Sequence, residues 1–174
     1  MRAEDLTHRL RAVKLVVLDV DGVLTDGRLG YSDDGHHSHA FHVRDGLALV
    51  EAHRAGLTVA AISGRRSTEV ARRLRELRVS HIEQGSGDKV HSLQRLWGRL
   101  SLSGPDTTFM GDDVNDLGAM AECGLAVTVA DADPQVRERV AAMGGWVLTR
   151  HGGHGAAREL IQAVLTAQGR WPWS

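Results

Sequence analysis

The 174 residues are 42% hydrophobic and 25% charged, with 21 basic against 22 acidic side chains and a net charge of −1. This composition fits a packed core and excludes a disordered chain, and the balanced charge gives no global field to recruit nucleic acid or acidic lipid. No apolar run approaches the roughly 18 residues of a membrane span. Residues 1–14 carry charge throughout, where a secretory leader would be apolar. The single Cys123 excludes an internal disulfide and a multi-cysteine zinc cage, so a cytoplasmic protein is expected.

In chain order, the β-branched run 13–20 predicts a buried strand that runs into a turn at Asp21-Gly22. Residues 28–43 hold the turn signal Asp33-Asp34-Gly35 and predict a hairpin. A helix follows over 46–54, closed by Gly56, and then a strand over 57–63. Ser67 caps a helix whose Val70, Leu74 and Leu77 form one stripe. A short strand at 81–84 precedes a helix lined by Val90, Leu93, Trp97 and Leu100. Residues 107–110 make a strand, 115–122 a short helix stopped by Gly124, and 125–129 another strand. Asp133-Pro134 starts a helix through residue 143. The last strand and helix fall at 146–149 and 156–168. Strands alternating with helices of about ten residues predict one domain over 1–174, an α/β fold with a doubly wound, mostly parallel sheet and a β-hairpin extension.

Ligands of such sheets bind beyond the carboxyl ends of the strands, and four polar motifs fall there. Asp19-Val20-Asp21-Gly22 carries two carboxylates that reach one crevice only if the chain bends, which Gly22 permits. Ser63-Gly64-Arg65 places a hydroxyl and a guanidinium at the next exit. Gly87-Asp88-Lys89 puts an ammonium at a helix start, and Gly111-Asp112-Asp113-Val114-Asn115-Asp116 is a second acidic cluster. Clustered carboxylates repel unless a cation neutralises them, and all-oxygen ligation favours Mg²⁺. A carboxylate nucleophile, a hard metal and a fixed lysine equip a site for phosphoryl transfer through an aspartyl-phosphate.

These motifs, in order and at strand ends, resemble those of the haloacid dehalogenase superfamily of phosphohydrolases. With DVDGVLTDG, FxVRDG, QGxxDK, GDDxND and GGxGAxRE, residues 15–168 are similar to its capless phosphatases of 3-deoxy-sugar acids, acting on octulosonate 8-phosphate or nonulosonate 9-phosphate. The resemblance implies a Rossmann-like core in which Asp19 is the nucleophile and Asp21 the general acid and base. It implies a Mg²⁺ held by Asp19, the Asp21 carbonyl and Asp112 with Asp113 in support, and phosphoryl binding by Ser63 and Lys89. Arg44, Asp45, Gly46, Gly64, Arg65, Arg73 and Asn115 fall at positions that contact the substrate or shape its pocket. The chain departs from the octulosonate enzymes at 117–120, where Leu-Gly-Ala-Met replaces Trp-Pro-Val-Met. A phosphatase or phosphotransferase with another small substrate is the enzymatic alternative, and an idle scaffold of the same fold the non-enzymatic one.

Strand alternation scatters His36, His37, His39 and His42, which read as hairpin surface rather than a metal site. Gly152-Gly153-His154-Gly155 reads as a close backbone approach at a helix start, and Trp171 and Trp173 as a contact between subunits. The 42 positions from Asp21 to Ser63 and the 26 from Ser63 to Lys89 are too few for an inserted cap domain. A neighbouring subunit's hairpin is therefore expected to close the site over a small-molecule phosphate, and the resemblance implies that this happens in a homotetramer with intersubunit active sites.

Overall fold

A computed structural model describes residues 2–31, 33 and 37–173. The four residues of β1 (Leu15–Leu18) are all buried, as a β-branched run covered on both faces requires. Around it assemble β4 (Thr58–Ser63), β5 (His81–Gln84), β6 (Thr107–Gly111), β7 (Leu125–Thr128) and β8 (Trp146–Val147), in the order β5-β4-β1-β6-β7-β8 with every pairing parallel. A separate antiparallel pair, β2 (Gly30–Tyr31) and β3 (His37–Ser38), is the expected hairpin. Its turn residues Asp34 and Gly35, and His36, lie outside the described residues.

The helices are α1 (Ala3–Ala12), α2 (Val43–Arg54), α3 (Thr68–Glu76), α4 (Lys89–Leu100), α5 (Leu117–Ala121), α6 (Pro134–Ala142) and α7 (Ala156–Ala167). α1 and α2 pack against α7, while α4 packs on α5 and α5 on α6, so helices clothe both faces. The chain runs from β1 outward to β5, then crosses back to β6 on the other side of β1. That reversal opens a crevice at the carboxyl end of β1. Leu160, Ile161, Val164 and Leu165 of α7 are fully buried, each contributing about 1.5–3 kcal/mol of apolar burial. No helix among the described residues is long and apolar enough to cross a membrane.

Several elements differ from the sequence expectation. β1 keeps four of the expected eight residues, and the helix expected over 115–122 is α5 at 117–121 after a turn at 114–116. α1 was not anticipated, because it buries only Leu10 and offers little periodicity. Hydrogen bonds from distant parts of the chain hold it: Arg9 donates to the Gly124 carbonyl at 2.8 Å, Arg11 to the Ala167 carbonyl at 3.1 Å, and Gln168 to the Val13 carbonyl at 2.7 Å. α2 starts at Val43 rather than residue 46, capped by the His42 imidazole, whose Nδ1 accepts from the Arg44 N–H at 3.2 Å. β8 keeps two residues of the expected four. Elsewhere the local signals hold: Ser67 caps α3 through the Val70 N–H and Asp88 caps α4 through the His91 N–H.

Candidate active site

The Asp19 N–H continues the β1 ladder by donating to the Met110 carbonyl at 2.9 Å, which sets its side chain at the mouth of the crevice. The chain then turns sharply, with the N–H groups of Val23, Leu24 and Thr25 all directed at the Val20 carbonyl. Gly22 sits in this turn at φ +87°, and a Cβ there would lie 2.0 Å from Asp112 Oδ2. Glycine is needed twice over, for the left-handed backbone and for the approach of the second acidic loop. The Gly152-Gly153 loop closes over the same turn: the Gly153 N–H donates to the Val23 carbonyl at 2.9 Å, and a Cβ on Gly152 would fall 1.8 Å from the Gly22 carbonyl oxygen. That glycine pair is a close backbone approach, as the sequence reading had it.

Lys89, at the first position of α4, is buried and reaches into the crevice. Its Nζ lies 2.9 Å from Asp19 Oδ1 and 2.6 Å from Asp116 Oδ1. Burial disfavours the ammonium, but the two carboxylates more than offset it and hold its pKa above the ordinary lysine value. The other oxygen of Asp116 accepts from the N–H groups of Asp112 and Asp113 at 3.1 and 3.3 Å. Asp116 thus ties the acidic loop to the lysine. Carboxylate oxygens of Asp19, Asp112 and Asp116 all lie within 4.8 Å of one another.

Three carboxylates against one ammonium leave two negative charges in a buried space, and the groups respond. Burial pushes the Asp19 carboxyl up to about 6, with Lys89 restraining the rise and Asp116 adding to it. Burial together with the charges of Asp19, Asp116 and Asp113 pushes Asp112 up to about 8. Asp112 Oδ1 is buried without a hydrogen-bond partner among the described residues. A hard divalent cation answers both facts, because it cancels the two charges and takes the orphaned oxygen as a ligand.

The sequence reading placed Asp116 in the acidic cluster but gave it no role, assigning metal support to Asp113 and substrate contact to Asn115. Asp113 is exposed, with Oδ1 accepting from the Val114 N–H at 2.7 Å, and Asn115 is exposed beside it. Asp113 and Asp116 form a reciprocal cap on the turn 114–116, an i, i+3 pairing legible in the sequence. Gly111 makes room for it, since a Cβ there would meet the Asp116 side chain at 2.4 Å.

Ser63 ends β4, the strand beside β1, and is buried, with Oγ accepting from the Arg65 N–H at 3.2 Å across Gly64. Beyond it lies a cleft of about 570 Å³ between the hairpin and the start of α3, lined by Arg65 and His39 among others. Arg73 lines an adjoining hollow of about 460 Å³ with His39 and Phe41. Arg44 opens instead onto a separate groove between α1, α2 and α7. Asp45 is buried and committed to the N-terminus of α7, accepting from the N–H groups of Gly155 and Arg158 at 3.1 and 2.7 Å. Burial raises its carboxyl above the usual range although both hydrogen bonds oppose the rise. Gly46 lets α2 approach α3, since a Cβ would lie 3.0 Å from Leu77 and 3.3 Å from the Arg73 guanidinium. Asp45 and Gly46 therefore position helices around the site, while Arg65 faces the cleft and Arg73 the adjoining hollow.

Of the four hairpin histidines His36 lies outside the described residues, and among the other three His39 belongs to the site. The His39 side chain is 7% exposed, with Nε2 3.8 Å from Asp21 Oδ1. Of the two terminal tryptophans, Trp171 differs from the expected subunit contact. Trp171 is buried within its own chain beneath the Arg158 guanidinium, 4.8 Å from the ring centroid, and Trp173 meets it edge-on at 5.1 Å. Gly169 at φ +66° turns the chain back after α7 and makes this return possible.

Residues 78–146 match the family of haloacid dehalogenase-like hydrolases. Among curated relatives, the 3-deoxy-D-manno-octulosonate 8-phosphate phosphatase of Haemophilus influenzae is 39% identical over 165 residues, covering 95% of this chain and 89% of that protein. The corresponding Escherichia coli K12 enzyme is 35% identical over 166 residues, covering 95% and 86%. The structure is similar to the crystal structure of the Yersinia pestis phosphatase of the same name, with a TM-score of 0.94 and 33% identity over 99% of this chain and 91% of that one. It is also similar to the Moraxella catarrhalis phosphatase in complex with magnesium ion, phosphate ion and KDO, with a TM-score of 0.92 and 36% identity over 98% and 95%.

Proposed function

This chain belongs to the 3-deoxy-D-manno-octulosonate 8-phosphate phosphatase family of haloacid dehalogenase-like hydrolases and is a phosphatase of phosphate monoesters, and we propose that octulosonate 8-phosphate is its substrate. The observation that carries the reading is the Lys89 ammonium shared by Asp19 and Asp116 beside the orphaned Asp112 oxygen, at the point where the strand order reverses.

In the first step a free Asp19 oxygen attacks phosphorus, the ester P–O bond breaks, and an aspartyl-phosphate forms. Asp21 gives its proton to the departing sugar alkoxide. It then takes a proton from water, which attacks the same phosphorus and returns Asp19 as a carboxylate with release of phosphate. Lys89 keeps Asp19 ionised for attack and meets the phosphoryl oxygens, and Asp116 holds Lys89 in place. The Ser63 hydroxyl and the N–H groups of its turn receive the remaining phosphoryl oxygens. Arg65, facing the cleft, suits the substrate's carboxylate, which a guanidinium can bind at two points.

Mg²⁺ fits this donor set: Asp19, Asp112 and the Asp21 main-chain carbonyl would hold it, while Asp113, capping the 114–116 turn, shapes the loop that carries Asp112. When bound it shields the nucleophile from the dianionic phosphate and stabilises charge developing in transfer. The magnesium, phosphate and KDO in the Moraxella catarrhalis structure support the assignment.

The cleft has no cap of its own among the described residues. Tyr31 of the hairpin is 68% exposed and Val43, at the start of α2, 76%. A homotetramer in which a neighbour's hairpin covers each site accounts for both. Phosphate release measured across octulosonate 8-phosphate, a nonulosonate 9-phosphate and simple sugar phosphates, with and without EDTA, tests the reading. Preference for the octulosonate and loss on chelation are expected. Equal turnover of all members favours a general phosphatase, and none at all an idle domain.

A further inference from the structure

Three of the hairpin's histidines are described, and two have visible structural work. His37 packs edge-on against Tyr31 at 4.5 Å, and His42 caps α2. His39 has neither kind of partner. Its side chain is 93% buried in effect, and its Nδ1 has no hydrogen-bond partner among the described residues. A buried polar atom left unpaired has given up its water with nothing in return, so packing alone would be served better by an apolar side chain. The other ring nitrogen faces a second orphan. Asp21 Oδ1 is also buried without a partner, and His39 Nε2 stands 3.8 Å from it. A hydrogen bond needs about 2.9 Å, so a shift of about 1 Å by either side chain brings Nε2–H into bonding range and gives the orphaned Asp21 Oδ1 its donor.

We propose that His39 is a positioning residue for Asp21: its Nε2–H donates to Asp21 Oδ1 and so fixes the carboxyl toward the scissile ester oxygen and, later, the attacking water. The inference rests on the acid-base role assigned to Asp21 above. It also gives the hairpin a function within its own subunit, because the residue that follows β3 at the edge of the substrate cleft is the group that aims the acid. Hydrogen bonds at catalytic groups are often long before the substrate is in place and tighten once it binds, which agrees with the present spacing.

A double-mutant cycle on His39 and Asp21 tests this, read as turnover of 4-nitrophenyl phosphate so that the sugar specificity does not enter. His39→Phe keeps an aromatic ring and removes the donor; kcat should fall about tenfold or more, with KM within about twofold. His39→Gln, which places an N–H near the Nε2 position, should recover most of that loss. In an Asp21→Asn background His39→Phe should cost nothing further, because a residue acting through Asp21 has nothing left to aim. Losses that add, or His39→Phe with wild-type kinetics while Asp21→Asn is impaired, would overturn this inference and leave the acid-base assignment standing. Wild-type turnover by Asp21→Asn would overturn both. A raised KM with unchanged kcat in His39→Phe would make His39 a substrate contact instead, and would also overturn it.

Discussion

Replacing Gly22 by alanine separates backbone strain from damage to the metal-binding carboxylates. At φ +87° an alanine costs about 1–2 kcal/mol in conformational strain. For a domain of this length that lowers Tm by about 2–8 °C. The larger effect is local, because the new Cβ would stand 2.0 Å from Asp112 Oδ2, where real contacts do not fall below 3.0 Å. The carboxylate is the free end of a side chain and moves away cheaply, by at least about 1 Å. A displacement of that size at a reacting group costs on the order of a hundredfold in rate. Gly22→Ala should therefore fold, with half-saturation by Mg²⁺ raised tenfold or more and kcat reduced about a hundredfold. Gly169→Ala is the control: it has φ +66° and nothing within 4 Å of its Cβ, so it should show a similar Tm loss with wild-type kinetics. Thermal melts paired with Mg²⁺ titrations of phosphate release measure both. Wild-type Mg²⁺ saturation in Gly22→Ala would refute the placement of Asp112 in the metal site.

Other perturbations have equally definite outcomes. Asp19→Asn should abolish phosphate release while the melt stays cooperative, since Lys89 keeps its 2.6 Å contact with Asp116. Without metal, Asp112 and Asp19 hold folded-state pKa values of about 8 and about 6 against 3.8 unfolded, so the folded state binds the extra protons. Their stabilisation is present below about pH 4 and is lost as pH rises toward 8. Melts with and without Mg²⁺ should show a metal-induced gain in Tm that grows from pH 5 to pH 8; a gain independent of pH would contradict the shifts. Trp171→Ala should cost about 3–5 kcal/mol, read by chemical denaturation, with the oligomeric state by light scattering unaltered. Trp173→Ala, at an exposed site, should change stability by less than about 1 kcal/mol.

Most of the sheet was legible because its signals are local. Apolar β-branched runs, Ser67, Asp88 and Asp133 at helix starts, and glycine at turns each act within a few residues. The strand-end carboxylates and Lys89 were legible for a related reason: a parallel sheet gathers its strand exits at one edge. What escaped depends on distance in sequence. α1 is held by carbonyls more than a hundred residues away, and His42 is an unusual cap. Asp45 looked like a substrate contact until α7 arrived to use both its oxygens. His39 looked like surface until the hairpin folded over Asp21. Asp116 is the instructive case, since its capping pair with Asp113 was readable but its ion pair with Lys89, 27 residues earlier, was not.

The most direct test of the central claim is to trap the covalent intermediate. Asp21→Asn should still be phosphorylated by 4-nitrophenyl phosphate, whose leaving group departs without a proton, but should fail to activate the water that clears the adduct. Acid quenching in the presence of Mg²⁺ followed by peptide mass spectrometry should place one phosphoryl group on Asp19, accompanied by a burst of one nitrophenolate per site. No adduct, or an adduct on any other residue, would contradict the account.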